Sequence, residues 1–258
     1  MLAQFTLTPA EGKRLIGKAV ANMTIVQDAI NNGTVIIATS TTSAYVLEEL
    51  QGIEIKDKGM FTAGVVTSKG CGVTNPEGRY DHHVIKEGKI ATMKTHELKS
   101  ILSEMGPKDV FIKGANAIDP FGAAGILLGG SGGGTIGTAW GYLAANGVPT
   151  IIVAGLEKLV PVSLTDIVPK YGKRKLDISL GWPCGMMVVQ GTIITEIEAL
   201  RELFGVEAIP VGGGGIDGAE GCKIFLVEGD DEALSSMIVM IKNIKGEPNL
   251  KTRLLVNS

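Results

Sequence analysis

Short, unbroken apolar runs alternate along this chain with longer segments that carry one apolar face. Residues 34–38, 110–112 and 150–154 consist almost entirely of apolar side chains. Strands that are buried on both faces of a parallel sheet have this continuous pattern. The sequence therefore predicts an α/β fold with a Rossmann-like parallel sheet.

The predicted helices carry recognisable start and stop signals. Thr8 and Glu11 have the spacing of a capping box for a helix over residues 8–30. Gly147 supplies the C-terminal stop of a helix over residues 135–146. Further helices are predicted at residues 44–50, 196–204 and 230–244.

A glycine cluster lies inside a predicted βαβ unit that runs from residue 109 to residue 161. A strand precedes the cluster, and a helix and a second strand follow it. Such units bind ligands at the carboxyl ends of their strands, and a glycine-rich turn before a helix exposes N–H groups to an anion. The cluster is neither a P-loop nor a dinucleotide fingerprint, and close backbone packing is the alternative explanation. The predicted anion-binding residues here are Gly130, Ser131, Gly132, Gly133 and Gly134.

A run of five hydroxyl side chains follows the apolar segment at residues 34–38. One hydroxyl is enough to cap the helix at residues 44–50, so the remainder indicate a second anion-binding turn. Simple helix capping remains the alternative. The predicted binding residues are Thr39, Ser40, Thr41 and Thr42.

Five more polar or glycine residues follow the predicted strands of the central unit. Lys113, a candidate catalytic residue, would bind an anion or lie at a strand end in solvent, and Gly114 follows it. Asn116 would orient a substrate, and Asp119 would act as a base or form a turn before Pro120. Lys158 would bind the ligand or form a solvated ion pair with Glu157.

The domain pattern changes after the central unit. We predict that residues 1–180 form the Rossmann-like ligand-binding domain. Residues 185–247 have the order strand, helix, strand, strand, helix, which predicts a smaller α+β domain of ferredoxin-like type. Residues 248–258 form a tail that we expect to return as a last strand.

Composition excludes several classes of partner. The 258 residues carry 24 basic and 27 acidic side chains, a net charge of −3, which argues against a nucleic-acid surface. No apolar run is long enough to span a membrane, and three widely spaced cysteines fit a reducing compartment. We expect a cytoplasmic protein without a membrane partner or a bound cofactor.

One polar segment invites a metal-binding interpretation. Cys71, Asp81, His82 and His83 lie close together in sequence. Neighbouring histidines point in different directions on a helix or a strand, and the spacing matches no usual zinc pattern. We therefore predict a polar loop near the pocket and no metal.

Two regions resemble the type A ribose-5-phosphate isomerases. GTVIIATSTTSAYVLEEL at 33–50 resembles their strand, Thr/Ser-rich turn and helix. KGANAIDP, GGSGGG and VAGLEKLV resemble their DGADE, KGGG and final strand ending in SKLV. The same superfamily holds glucosamine-6-phosphate deaminases, methylthioribose-1-phosphate isomerases and coenzyme A transferases. Over roughly the first 165 residues, the resemblance implies a Rossmann-like fold, a phosphate-ester ligand at these loops and a homo-oligomer.

The chain departs from the isomerase pattern at the catalytic positions. Lys113 and Asn116 stand where that pattern has acidic residues, Ser131 replaces a lysine, and the position of the pattern's catalytic glutamate falls near Trp140. Asn, Ser and Trp cannot move a proton between carbons, so the resemblance carries the fold but not the known chemistry. We favour binding of a small anionic metabolite, a sugar phosphate or related ester, with the reaction left open. The alternatives are a non-catalytic sensor or assembly subunit and a coenzyme A or acyl transferase.

Overall fold

The computed structural model describes residues 1–255 as an α/β protein built on a mixed six-stranded sheet. The strands, in chain order, are β1 (Leu2–Leu7), β2 (Thr34–Ile37), β3 (Gly64–Thr67), β4 (Gly70–Val73), β5 (His82–Lys86), β6 (Lys89–Met93), β7 (Val110–Gly114), β8 (Ala117–Ile118), β9 (Ala124–Leu128), β10 (Thr150–Val153), β11 (Gly185–Val189), β12 (Thr192–Ile194), β13 (Glu207–Gly214) and β14 (Cys222–Glu228). The α-helices are α1 (Pro9–Asn22), α2 (Thr24–Asn32), α3 (Thr41–Gln51), α4 (Leu98–Leu102), α5 (Gly134–Asn146), α6 (Leu164–Ile167), α7 (Glu196–Phe204) and α8 (Asp231–Ile244).

The main sheet is Rossmann-like in its parallel part. Its strand order is β12-β10-β7-β2-β5-β6. The strands β12, β10, β7 and β2 run parallel, β5 pairs antiparallel with β2, and β6 pairs antiparallel with β5. β2 and β10 are buried along their whole length, as their unbroken apolar sequences predict. Ile37 pairs with Ile112, and Val153 pairs with both Gly114 and Ile194. The parallel strands therefore end level with one another, and the loops that follow them share one edge of the sheet.

The predicted helix signals are found with their expected bonds. Thr8 and Glu11 form a capping box at the start of α1. Gly147 ends α5 with a left-handed φ of 64°. The helix predicted over residues 8–30 is instead two helices, because Met23 has extended backbone (φ −59°, ψ 129°). The break separates α1, which packs on α3 and α7, from α2, which packs on β2 and β5.

The segment that contains the two histidines differs from its prediction as a polar loop. His82 and His83 begin β5, which pairs with β2 on one side and β6 on the other. Glu87 and Gly88 form the turn of this hairpin, both with positive φ. The sequence of β5 mixes polar and apolar residues, so its pattern does not predict a strand. His82 is nevertheless buried in this strand.

Residues 185–247 have the order strand, strand, helix, strand, strand, helix, so β12 is an addition to the predicted order, and their strands lie in three sheets. β12 belongs to the main sheet, β11 pairs with β9, and β13 and β14 form an antiparallel sheet with β1 from the start of the chain. The pairing of β1 with β14 joins residues more than 200 positions apart, and no local pattern encodes such a contact.

The described part of the tail approaches the hairpin formed by β3 and β4. Leu254 makes a single antiparallel bridge with Thr74, and the Leu255 N–H donates to Val73 O (2.8 Å). Residues 256–258 of this tail lie outside the described residues. Among residues 1–255, no helix combines the length and the apolar character needed to cross a membrane.

Candidate functional site

The carboxyl-terminal edge of the parallel strands gathers most of the polar residues that the sequence selects. Lys113 lies on β7 level with Ile152 of β10, and its Nζ donates to Thr39 O (3.2 Å) and Gly114 O (3.4 Å). Lys158 lies in the 3-10 helix Leu156–Lys158 that follows β10. The strand ends thus bring the Thr39 turn, Lys113 and Lys158 to one edge.

His82 joins this edge to the first turn of α5. Its Nδ1 accepts the Thr39 N–H (3.0 Å), so Nε2 must carry the proton of the neutral ring. Nε2 lies 2.9 Å from Thr95 Oγ1 and 3.2 Å from Thr135 Oγ1. One imidazole ring therefore bridges the hydroxyl turn after β2 and the helix that follows the glycine cluster.

The protonation state of His82 identifies its role. Burial, and then the positive charge of Lys113, lower the pKa of His82 to about 4. The ring stays neutral at neutral pH, where both of its nitrogens are already used in hydrogen bonds. His82 is thus a positioning residue between two loops, and general-base chemistry would need a ring nitrogen that it does not have free.

Lys113 and Lys158 are the charged groups at this edge that lack a close acidic partner. Among residues 1–255, no carboxylate oxygen lies within 4.0 Å of either ammonium group. Burial, and then repulsion from Lys158, lower the pKa of Lys113 to about 8. Burial also lowers the pKa of Lys158 to about 8. The negative charge of Glu157 raises this pKa, and the positive charge of Lys13 lowers it further. Both amines remain mostly protonated at pH 7, which makes the edge a concentrated positive site.

Two acidic residues lie near Lys158: Glu157, which the sequence offers as its ion-pair partner, and Glu196, which the sequence analysis did not select. Glu157 accepts a hydrogen bond from Lys13 Nζ (2.6 Å), and Glu196, at the start of α7, accepts the Leu156 N–H (2.9 Å). Burial, and then the charge of Glu157, raise the pKa of Glu196 to about 7. Burial opposes ionisation of Glu157, but Lys13 and Lys158 hold its pKa below the usual range.

A signal for Glu196 is present in the sequence in retrospect. Glu196 lies two residues after the end of β12, Glu157 lies four residues after the end of β10, and ligand residues lie at the ends of parallel strands. The signal is weak because residues 192–194 are too short to be recognised as a sheet strand from their pattern alone.

The four predicted hydroxyl residues divide into two groups. Ser40 is the N-cap of α3, where its Oγ accepts the Ser43 N–H (3.0 Å), and Thr42 is fully buried. Thr39 and Thr41 are partly exposed and remain accessible to a ligand. The turn is therefore compatible with both interpretations of the sequence. One hydroxyl, that of Ser40, caps the helix, and those of Thr39 and Thr41 lie at the sheet edge where an anion could bind.

The glycine cluster forms an open turn before α5. Gly132, Gly133 and Gly134 have positive φ of 66°, 80° and 60°, which side chains with a Cβ rarely adopt. The N-cap of α5 is Gly133, and among residues 1–255 no side-chain cap bonds to the start of the helix. Gly130 and Ser131 are exposed beside it. The first N–H groups of α5 therefore lie, without a side-chain cap from the described chain, at the positive end of the helix dipole.

The other predicted residues have structural bonds. Asp119 accepts hydrogen bonds from the backbone N–H groups of Phe121, Ala123 and Leu164 (all 2.9 Å), which matches the turn-forming alternative. Asn116 Oδ1 accepts the Leu127 N–H (3.0 Å).

Gly114 lies against the N-cap of α3. A Cβ at Gly114 would collide with Ser40 Oγ, so this glycine permits close packing of β7 on α3. Gly114 therefore contributes to this edge of the sheet by allowing close packing.

A cleft of about 450 Å³ lies away from this edge, between α1, α3 and the start of the tail. Arg14 at its centre bonds to Glu48 (2.6 Å), Glu49 (2.9 Å) and Glu247 (2.9 Å), so its charge is already neutralised. This network ties Glu247, which follows α8, to two helices. The lining of the cleft has more acidic than basic side chains, so it has no excess positive charge for an anion. Within residues 1–255, no three His, Cys, Asp or Glu side chains converge in a way that would hold a metal ion.

No protein-family model matches this chain, and no curated protein matches it. The functional argument therefore rests on the chemistry of the sheet edge.

Proposed function

We propose that this protein binds a small anionic metabolite, a sugar phosphate or related phosphate ester, at the carboxyl-terminal edge of its parallel strands. The observation that carries the proposal is the pair Lys113 and Lys158, two partly buried ammonium groups without a carboxylate within 4.0 Å in the described chain. Buried charges are normally paired, because an unpaired one loses hydration without compensation. A bound dianion would neutralise both.

The surroundings of the lysines supply the hydrogen-bond donors that a phosphate group requires. Lys113 uses two of its three N–H groups on carbonyl oxygens and keeps one for a ligand. The hydroxyls of Thr39 and Thr41 and the uncapped start of α5 are further donors at the same edge. The combination of fixed positive charge with several neutral donors favours a phosphate ester over a simple carboxylate.

The resemblance to the sugar-phosphate isomerase superfamily supports the same ligand class. It involves residues 33–50 and 113–160, which include the Thr39 turn, both lysines and the glycine cluster. We propose that the chain is a divergent member of that superfamily.

A thermal-shift screen with sugar phosphates, nucleotides and coenzyme A esters tests the proposal. A ligand at one hundred times its dissociation constant adds about 2.7 kcal/mol of stability, which raises Tm by roughly a few degrees. We expect Lys113→Met and Lys158→Met to abolish this shift. We expect neither to lower the Tm of the unliganded protein, because each removes a poorly solvated charge.

Lys242→Met is the matched control, since Lys242 is an exposed lysine on α8. It should keep the full ligand response. A shift that survives in both Lys113→Met and Lys158→Met would place the ligand elsewhere, and the absence of any shift in the wild type would remove the proposal.

A further inference from the structure

Two of the three cysteines meet in the fold, although they lie far apart in the chain. Cys71 lies on β4, and Cys184 immediately precedes β11. Gly181 forms a parallel bridge with Cys71, and the Trp182 N–H donates to Cys71 O (2.7 Å). Two residues further along, the Cys184 thiol lies within hydrogen-bonding reach of the Cys71 thiol. The fold therefore brings together two thiols that no spacing in the sequence connects.

Close backbone packing holds the two thiols beside each other. A Cβ at Gly181, where φ is 104°, would lie 2.6 Å from Cys71 O, so a larger residue would push this segment away from β4. Cys184 Sγ donates to Trp182 O (3.4 Å). Burial, and then the charges of Cys184 and Cys71, raise the pKa of Tyr171, which therefore lies close to both thiols.

The two thiols differ in their access to solvent. Cys71 is partly exposed, whereas Cys184 is buried. Burial, and then the neighbouring Cys71, raise the pKa of the Cys184 thiol, so it stays protonated. A dissolved oxidant consequently reaches Cys71 first and leaves Cys184 to react second. Reversible oxidation commonly uses this arrangement, an accessible cysteine next to a resolving one.

We propose that Cys71 and Cys184 are a redox modification site, at which a hydroperoxide oxidant forms a reversible disulfide. The bond joins β4 to the start of β11 and lies beside Gly129, the residue before the glycine turn at 130–134. Cys184 Sγ lies 3.6 Å from the position of a Cβ at Gly129, and Trp182 Nε1 donates to Gly129 O (3.4 Å). In a reducing compartment, such a bond forms only while the oxidant is present.

Atoms and electrons balance with one molecule of hydrogen peroxide. The Cys71 sulfur attacks one peroxide oxygen, the O–O bond breaks, and the departing hydroxide takes the Cys71 thiol proton and leaves as water. The Cys184 sulfur then attacks the sulfur of the Cys71 sulfenic acid. The S–S bond forms as the S–O bond breaks, and hydroxide leaves with the Cys184 proton as a second water. The two thiols are oxidised by two electrons, and the peroxide is reduced by two.

Counting free thiols by mass spectrometry tests the proposal. The whole protein is reduced, freed of reductant, treated with a slight excess of hydrogen peroxide and then unfolded in N-ethylmaleimide, which labels every remaining thiol. The reduced wild type should carry three labels, and the oxidised wild type one label, on Cys222. A tryptic digest should contain one pair of peptides joined through Cys71 and Cys184, and dithiothreitol should restore all three labels.

Variants of each cysteine separate the two chemical steps. Cys222→Ser is the matched control, because Cys222 lies on β14 and its Sγ donates to Gly214 O (3.1 Å). It should form the same disulfide and carry no label after oxidation. Cys71→Ser should keep both remaining labels, since Cys184 is buried. Cys184→Ser should stop at the Cys71 sulfenic acid, which dimedone traps.

Thermal unfolding gives a second measurement, because the disulfide closes a long loop. Oxidation should raise the Tm of the wild type and of Cys222→Ser by roughly 5 °C and should leave that of Cys71→Ser unchanged. Three labels in the peroxide-treated wild type, a disulfide that includes Cys222, or an oxidised wild type that melts below the reduced one would overturn the assignment. The test uses no phosphate ester, so its outcome is independent of the proposed anion site.

Discussion

At the scale of single residues, the sheet edge is defined by groups whose pKa values differ from their ordinary values. Lys113 and Lys158 have pKa values near 8, Glu196 near 7 and His82 near 4. Burial is the largest cause for all four groups, and neighbouring charges add to or oppose it. Clusters of shifted groups at strand ends are typical of ligand sites.

His82 gives a prediction about acid stability. Its pKa is lowered on folding, so the unfolded chain takes up the proton first, and stability from this residue is lost as pH falls from about 6.5 towards 4. His82→Asn keeps an oxygen that accepts the Thr39 N–H but does not titrate. The difference in free energy of unfolding between the wild type and His82→Asn should therefore shrink by up to about 2–3 kcal/mol as the pH falls from 7 to 4.5.

Urea denaturation at the two pH values checks this expectation. His82→Ala leaves the Thr39 N–H without a partner and should cost about 1–3 kcal/mol at pH 7. A wild-type advantage over His82→Asn that is the same at pH 7 and pH 4.5 would show that the ring is not held neutral by the fold.

At the scale of elements, α1 is fixed by a cap that also holds the end of α8. The carboxylate of Glu11 accepts the Thr8 N–H (2.9 Å), the Gly246 N–H (2.9 Å) and Lys245 Nζ (2.8 Å). Glu11 is 3% exposed, although its position in the sequence marks only a helix start. The capping box is thus a tertiary contact as well as a local one.

The double role of Glu11 predicts unequal costs within the capping box. Thr8→Ala should lower the free energy of unfolding by about 1 kcal/mol, the usual cost of a lost N-cap. Glu11→Ala should cost about 2–3 kcal/mol, because it also removes the charged acceptor of the Gly246 N–H and of Lys245 Nζ at the end of α8. Glu232→Ala, which removes an exposed acid in the first turn of α8, is the control in the same urea titrations. Equal costs for Thr8→Ala and Glu11→Ala would contradict the tertiary role.

The sequence predicts elements better than it predicts their pairing. α7 occupies the predicted residues 196–204, and α8 with its N-cap Asp230 occupies the predicted residues 230–244, since caps and periodicity act over a few residues. β1 and β5 were missed because their stability comes from partners far along the chain, β14 for one and β2 for the other. Sheet membership depends on those long-range contacts, which a local pattern does not contain.

At the scale of the whole molecule, the parallel sheet explains why the site is only partly visible in sequence. Residues next to apolar runs, such as Thr39, Lys113 and Lys158, could be selected because strand ends are predictable. His82 and Glu196 lie at the same edge, but they reach it through an antiparallel strand and a three-residue strand. The positions of His82 and Glu196 at this edge could therefore not be predicted before the strand order was known.

The central claim is that Lys113 and Lys158 hold an anion at this edge, and the pH dependence of affinity tests it most directly. The measurement is calorimetric titration, at pH 7.0 and pH 9.5, of the phosphate ester that gives the largest thermal shift. Phosphate esters keep a constant charge over this range because their second pKa is about 6, whereas both lysines, with pKa values of about 8, lose their charge.

We predict that Kd rises at least about tenfold between pH 7.0 and pH 9.5, since losing two charge-assisted contacts costs more than about 1.4 kcal/mol. Lys242→Met should show the same rise, and Lys113→Met combined with Lys158→Met should show no binding at either pH. An affinity that is independent of pH, or binding that persists in the double variant, would contradict the account.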